Sequence, residues 1–156
     1  MKIPALALIA HDTKKEDIVE MAEAHKIELN ELELFATKGT GRLLRQRADL
    51  DIILMEDGPH GGDQQIGAMV ATGEVNAVIF LRDLLMAQPH EPDISALLRI
   101  CDVHNVPLAT NLATAEILLH ALLEHPEMIE PRVEIDQPTD EAAAVDYKNM
   151  SKEVKC

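Results

Sequence analysis

The feature that most constrains this chain is a series of short apolar segments, each followed by a segment whose apolar residues recur at helical spacing. The first, Ala5–Ala10, is apolar at every position, as expected for a strand buried on both faces of a parallel sheet. Four more strand-like segments lie at 32–36, 51–55, 75–81 and 106–110. This alternation predicts an α/β fold: a single three-layer α/β/α domain with a five-stranded, mainly parallel, doubly wound sheet.

Composition narrows the classes of function open to this 156-residue chain. Hydrophobic residues make up 47% but aromatic residues only 2%, which predicts an aliphatic core and few surfaces for base stacking. The net charge of −14 argues against nucleic acid or a membrane surface as partner, because phosphate backbones need a basic face. With no signal-peptide pattern and two distant cysteines, Cys101 and Cys156, we expect a reduced, cytoplasmic protein.

Local patterns predict where helices begin and where the domain ends. Thr13 and Glu16 have the spacing of a capping box, and residues 37–41 predict a turn before a short helix. A domain is expected over 1–123. The acidic remainder, 124–156, is expected to belong to the same domain or to be partly flexible, with a helix near 141–154.

Residues with chemically useful side chains follow the predicted strands. Because the carboxyl ends of parallel strands share one edge of a sheet, and ligands bind there in open α/β folds, we expect these residues to lie close together. They are His11 and Asp12 after the first strand, residues 38–41 after the second, 58–63 after the third, His90 and Asp93 after the fourth, and Asn111 after the fifth.

Taken singly, these residues have simple structural explanations. Gly39-Thr40-Gly41 before a helix fits either a phosphate cradle of backbone amides or an ordinary turn. Asp63 and Asp93 could each cap a helix, and His90 could be a solvated loop histidine. The sequence has no cysteine pair at zinc spacing and no helical His-Glu-x-x-His pattern, so no metal site is predicted.

Taken together, the two aspartates, the two histidines and the glycine-rich segment suit proton abstraction next to a carbonyl group. A carboxylate can remove a C–H proton while a neutral imidazole stabilises the developing enolate oxygen. Backbone amides at the start of a helix can hold a phosphate group. The combination therefore favours an enzyme that acts on a small phosphorylated substrate.

Several motifs occur in order along the chain. They are Ala10-His11-Asp12 with Lys14-Lys15, Ala36-Thr37 with Gly39-Thr40-Gly41, Gly58-Pro59 with Gly61-Gly62-Asp63-Gln64-Gln65, Gln88-Pro89-His90-Glu91-Pro92-Asp93, and Pro107-Leu108-Ala109-Thr110-Asn111. In this order and at this spacing they resemble the methylglyoxal synthase family from about residue 2 to residue 122. The Gly-Gly-Asp-Gln and Pro-His-x-Pro-Asp elements make the resemblance specific.

The resemblance implies a carbon–oxygen lyase that converts dihydroxyacetone phosphate to methylglyoxal and inorganic phosphate without a metal or organic cofactor. It also implies a flavodoxin-like fold, a homo-oligomer that is typically a hexamer, and inhibition by phosphate. By position, Asp63 matches the general base, His90 the electrophile at the carbonyl oxygen, and Asp93 a partner that orients or relays protons. The implied substrate and phosphate contacts are His11, Asp12, Lys15, Thr37, Lys38, Gly39, Thr40, Gly41, Asp57 and Gly58.

The phosphate end departs from the family pattern. Residues 38–41 read Lys-Gly-Thr-Gly where the family usually has Gly-Thr-Thr-Gly, and Asp57 stands where a serine is usual. A carboxylate beside a phosphate is repulsive unless it turns away or pairs with a cation, and Lys38 is a candidate for that cation. Leu84 also replaces a usual proline.

Two other functions fit the same residues. One is a non-catalytic domain of the same fold that binds phosphorylated or nucleotide effectors. The other is an isomerase that keeps the phosphate on its substrate. The intact set of two aspartates and a histidine favours an enzyme over a binding domain, and analysis of the product separates a lyase from an isomerase.

Overall fold

A five-stranded, wholly parallel sheet forms the centre of the computed structural model, which describes residues 3–129. Its strands lie in the order β3-β2-β1-β4-β5. Their bounds are Ala5–Ala10 for β1, Glu33–Ala36 for β2, Ile52–Leu54 for β3, Ala77–Leu81 for β4 and Leu108–Ala109 for β5. The predicted helix near 141–154, Cys156 and most of the acidic tail lie outside the described residues.

Helices cover both faces of this sheet, because successive residues of a strand point to opposite sides. Leu6, Leu8 and Ala10 belong to a core formed with α1, α3 and α6, whereas Ala5 and Ile9 belong to a second core formed with α4 and α5. The helices span Lys15–Ala24 (α1), Lys26–Leu29 (α2), Lys38–Ala48 (α3), Gly62–Ala71 (α4), Glu91–Val103 (α5) and Leu112–Glu124 (α6). None of them is long and apolar enough to cross a membrane.

The predicted three-layer α/β/α domain with a five-stranded sheet is confirmed. The chain moves outward from β1 through β2 to β3 and then crosses to β4 on the other side of β1. This order differs from the flavodoxin order 2-1-3-4-5, in which the first strand is not central. Successive strands are added on one side of β1 as far as β3 and on the other side from β4 onward, so a crevice between the carboxyl ends of β1 and β4 is the expected ligand site.

The start of α1 differs from the predicted capping box. Residues Asp12–Lys14 form a 3-10 turn, and α1 begins after it without a side-chain cap. The hydroxyl of Thr13 instead donates to Asp83 Oδ2 at 2.7 Å. A partner 70 residues away therefore takes the hydroxyl that local spacing had assigned to the helix.

The predicted turn at 37–41 is also wrong, since α3 already begins at Lys38. The amide of Gly41 donates to the carbonyl oxygen of Thr37 at 2.8 Å, which closes the first helical turn. Gly41 serves packing, because a Cβ there would lie 2.3 Å from Leu54 Cδ2 on β3. Gly41 thus allows α3 to approach the sheet closely.

The loop after β3 is held by a close backbone contact. A 3-10 turn, Gly58–His60, precedes Gly61 at φ +104°, a left-handed conformation that favours glycine. The amide of Gly62 then donates to Asp57 O at 2.9 Å. A Cβ on Gly62 would lie 2.0 Å from Glu56 O, so only glycine allows α4 to begin at this point.

We therefore expect Gly62→Ala to lower the free energy of unfolding by roughly 2–3 kcal/mol, because the backbone must move to admit the methyl group. Gly67→Ala, in the same helix, is the matched control. A Cβ at Gly67 would meet Ile100 Cγ2 at an ordinary 3.6 Å, so the better helix propensity of alanine should stabilise the protein slightly. Urea denaturation of both variants measures the difference; equal stabilities would contradict the packing argument.

Candidate active site

A cavity of about 560 Å³ lies at the carboxyl ends of β1 and β4, the two strands between which the order of the sheet changes sides. Most of the residues singled out from the sequence line it. They are His11, Asp12, Lys15, Thr37, Gly39, Thr40, Asp57, Gly58, Asp63 and His90. Lys38, Gly41 and Asp93 do not line the cavity. Across residues 3–129, no group of three or more His, Cys, Asp or Glu side chains is arranged to hold a metal ion.

Asp63 is a buried carboxylate at the base of this cavity. It is the second residue of α4 and only 1% exposed, and it does not cap the helix, whose N-cap is Gly61. Neither carboxylate oxygen has a hydrogen-bond partner within the described part of the chain. Burial raises the pKa of Asp63; the charge of His90 opposes this effect and the charge of Asp93 adds to it. The side chain therefore has the environment of a strengthened base.

His90 faces Asp63 across a narrow gap. Its Nε2 lies 3.8 Å from Asp63 Oδ2, which is too long for a hydrogen bond. The histidine side chain is only 12% exposed, and its Nδ1 is a buried atom with no hydrogen-bond partner in residues 3–129. A Cβ on Gly58 would lie 3.2 Å from Asp63 Oδ1 and 3.5 Å from His90 Nε2. Glycine at position 58 thus keeps space open beside both functional groups.

His11 presents a defined tautomer to the same cavity. The amide of Asp83 donates to His11 Nδ1 at 2.8 Å, so the neutral ring carries its proton on Nε2. That buried Nε2 has no hydrogen-bond partner among the residues described. Burial lowers the pKa of His11, and the nearby charges of His90 and Arg82 lower it further. His11 is therefore set up as a neutral N–H donor.

Asp83, which sequence reasoning did not select, holds this histidine in place. It is buried, and its carboxylate accepts hydrogen bonds from Thr13 Oγ1 at 2.7 Å and from the amide of Leu85 at 3.0 Å. The bond from Thr13 lowers the pKa of Asp83, and the bond from Leu85 adds to the effect. Its position directly after β4, at the edge where the other site residues lie, was the available signal.

Asp93 does not hydrogen-bond Asp63 or line the cavity, but it lies close enough for its charge to affect the pKa of Asp63. It is in the first turn of α5, where its Oδ1 accepts a hydrogen bond from Gln64 Nε2 at 2.5 Å and its amide donates to His90 O at 3.0 Å. Asp93 therefore acts on the site by charge, since it raises the pKa of Asp63.

The side of the cavity at the start of α3 is lined by backbone amides and one ammonium group. Lys15 Nζ donates to Ala10 O at 2.9 Å and to Asp12 Oδ1 at 3.0 Å, while the Asp12 side chain is almost fully exposed. The Thr40 hydroxyl lies against the end of β1, with its Oγ1 3.3 Å from the amide of Ala10. These contacts fasten α3 and α1 to β1.

Lys38 does not pair with Asp57, contrary to expectation. Its ammonium group contacts Glu56 Oε1 at 2.7 Å, because the start of α3 lies beside the segment that follows β3. Asp57 Oδ1 instead accepts a hydrogen bond from the amide of Gly39 at 3.1 Å. The one carboxylate that departs from the family pattern therefore lies directly at the N-terminus of α3.

Comparisons with known proteins point to one family. The model of the MGS-like domain family matches residues 17–110. The methylglyoxal synthase of Caldicellulosiruptor saccharolyticus is 53% identical over 133 residues, which cover 83% of this chain and 94% of that protein. The methylglyoxal synthase of Cupriavidus taiwanensis is 58% identical over 119 residues, 76% of this chain and 90% of that protein.

Among solved structures, the crystal structure of methylglyoxal synthase from Elizabethkingia anophelis is similar to this chain with a TM-score of 0.72. The two sequences are 38% identical, and the match covers 81% of this chain and 83% of that one.

The buried carboxylate of Asp63 has a cost in stability. Because folding raises its pKa, the cost is absent below the pKa of the unfolded chain, grows as the pH rises above that value, and is complete once the pH exceeds the folded pKa. We expect Asp63→Asn to raise the free energy of unfolding by about 1–2 kcal/mol at neutral pH, since a neutral amide is cheaper to bury than a charge. Thermal melts of both proteins at several pH values measure this; a gain that persists unchanged at low pH would contradict the assignment.

Proposed function

The chain belongs to the methylglyoxal synthase family, and on that premise we propose that it converts dihydroxyacetone phosphate to methylglyoxal and inorganic phosphate. This reaction makes the protein a carbon–oxygen lyase that acts on a phosphate ester. The observation that supports it is the buried carboxylate of Asp63, which has no hydrogen-bond partner within residues 3–129 and shares a cavity with two imidazoles.

Asp63 is the general base in this proposal. One of its carboxylate oxygens takes a proton from the hydroxymethyl carbon next to the carbonyl group, and the electron pair of that C–H bond forms the C=C bond of an ene-diolate. The terminal hydroxyl then transfers its proton to the enolate oxygen and becomes a carbonyl group. The π electrons shift to the neighbouring C–C bond and expel phosphate, which leaves with the electrons of its C–O bond. A proton added to the methylene carbon of the resulting enol gives methylglyoxal.

The two histidines stabilise the oxygen on which negative charge develops. His90 is the electrophile at the carbonyl oxygen. Because its Nε2 lies 3.8 Å from Asp63 Oδ2, the two side chains can contact neighbouring atoms of one substrate molecule. The Nε2–H of His11 supplies a second neutral donor, fixed in direction by the bond from the amide of Asp83. A neutral imidazole suits this step because its N–H is closer in acidity to an enol than an imidazolium is.

The phosphate group binds at the start of α3. Thr37 and the amide of Gly39 line this side of the cavity, and Lys15 adds a positive charge. Two of the three ammonium protons of Lys15 are used by Ala10 and Asp12, so one is available to a phosphate oxygen. A grip on the phosphate also sets the angle of the C–O bond, which must lie out of the plane of the ene-diolate to break.

A homo-oligomer, specifically a hexamer, is part of the same proposal. Leu84, Leu85 and Met86 form an exposed apolar segment next to the cavity, and Met86 also lines it. Contact with a second copy would remove this apolar surface from water. The proposal further includes a cytoplasmic location, catalysis without a metal or organic cofactor, and a catalytic domain over 1–123 followed by an acidic tail.

The direct test is to incubate the purified protein with dihydroxyacetone phosphate and to assay methylglyoxal and free phosphate. We expect both products in equal amounts, and Asp63→Asn to lower kcat by roughly 100-fold or more because the general base is lost. Asp102→Asn, an identical chemical change at an exposed position on α5, is the control and should retain activity. Triose phosphate isomerisation without phosphate release would favour the isomerase, and binding without turnover the effector-binding domain.

The pH profile of kcat/KM gives a second test of the base. Activity requires ionised Asp63, so it should fall on the acid side with a midpoint above the ordinary pKa of an aspartate, because burial raises the pKa of Asp63. Asp93→Asn removes a charge that raises this pKa, so the midpoint should move to lower pH.

Gln64→Ala is the matched control for that shift. It removes the hydrogen bond to Asp93 but leaves the charge of Asp93 in place, so the midpoint should stay near that of the wild type. If neither variant moves the midpoint on the acid side of the profile, the group that titrates there is not Asp63.

A further inference from the structure

Asp57 occupies a hydrogen bond that a bound phosphate would need. Its Oδ1 accepts from the amide of Gly39 at 3.1 Å, in the first turn of α3. Amides in the first turn of a helix have no acceptor within the helix and are favourable sites for anions. The carboxylate of Asp57 is therefore an internal anion at the N-terminus of α3.

A carboxylate and a phosphate cannot use this position together. The amide of Gly39 has one proton to donate, and two anions at hydrogen-bond distance from one group repel each other strongly in a partly buried site. Lys15 Nζ and Asp57 Oδ1 lie 3.9 Å and 3.7 Å from the place of a Cβ on Gly39, so a phosphate bound beside Gly39 would lie near both the cation and the competing carboxylate.

The cavity has independent signs of being a ligand site. Asp63 and His11 are both more than nine-tenths buried and both line it. The carboxylate oxygens of Asp63 and the Nε2 of His11 have no hydrogen-bond partner within the described residues. The start of α3 thus belongs to a site whose polar atoms are already directed at a ligand.

We propose that Asp57 is a specificity-determining residue that competes with the phosphate group for the amide of Gly39, so that it weakens binding of substrate and of inorganic phosphate and speeds release of phosphate after each turnover. This inference rests on the proposed function, because the competing anion is the phosphate of the substrate or product. On this proposal the side chain of Asp57 both raises the KM for the substrate and weakens inhibition by the product phosphate.

The surroundings of Asp57 allow its side chain to move by itself. Its carbonyl oxygen accepts hydrogen bonds from the amides of His60 and Gly62, each at 2.9 Å, which hold the backbone of the loop. The side chain is half-buried at the cavity wall. Rotation about its Cα–Cβ bond is therefore enough to free the amide of Gly39 without disturbing the loop that carries Gly58 and leads to α4.

The test compares two neighbouring carboxylates. Asp57→Asn keeps the shape of the side chain but removes its charge. Asp57→Ser removes the charge and also shortens the side chain. Glu56→Gln makes the same change in net charge one residue away, on a side chain that pairs with Lys38 and does not line the cavity. Inorganic phosphate is titrated into each protein by calorimetry, and KM, kcat and the inhibition constant of phosphate are measured in parallel.

We expect Asp57→Asn and Asp57→Ser to lower the Kd of phosphate, its inhibition constant and KM by about tenfold, the size of one strong charge repulsion at a partly buried site. Glu56→Gln should change each constant less than about twofold, because its partly exposed carboxylate pairs with Lys38 and lies outside the cavity. Unchanged or weaker phosphate binding in both Asp57 variants would overturn the proposal, and so would an equal gain in Glu56→Gln. Calorimetry needs no turnover. If only the enzyme assay fails, the proposed function is refuted, and the phosphate Kd values of the variants still decide whether Asp57 competes with phosphate.

Discussion

The burial of β1 on both faces is the constraint on which the rest of the structure depends. All six residues of this strand are buried, and they alternate between the two cores that hold the helices on either side. The strand lies in the middle of the sheet and pairs with β2 on one side and with β4 on the other. Its carboxyl end therefore lies at the crevice between β1 and β4. His11, the residue that directly follows the strand, lines the cavity for this reason.

The site illustrates how a cavity can hold polar atoms that the fold itself does not satisfy. Buried polar groups normally have hydrogen-bond partners. Within residues 3–129, the few buried side-chain atoms without partners include those of Asp63, His11 and His90, and all three residues line one cavity. Their cost in stability is offset by the apolar side chains buried in the two cores.

Sequence patterns predicted the layers of the fold and selected residues most of which line one cavity, because both follow from the alternation of strands and helices. These patterns could not predict contacts between residues that are distant in the sequence. Thr13 has the local form of a helix cap, yet its hydroxyl bonds Asp83, and nothing near it in the chain indicates that partner. The pairing of Lys38 with Glu56, not Asp57, depends in the same way on how α3 meets the end of β3. Strand order was also not predictable, since local periodicity does not say on which side of β1 a crossover returns.

The pairing of β1 with β4 also affects how the protein is made. Leu6 pairs with Ala77, so the first strand leaves the ribosome long before its second neighbour has been synthesised. During that interval a six-residue apolar strand has at most one side covered, by β2, and lacks the helices α4, α5 and α6. Parallel sheets with such distant pairings fold slowly and expose sticky segments on the way. The time between the synthesis of β1 and that of β4 is thus the period in which the chain is most exposed to aggregation.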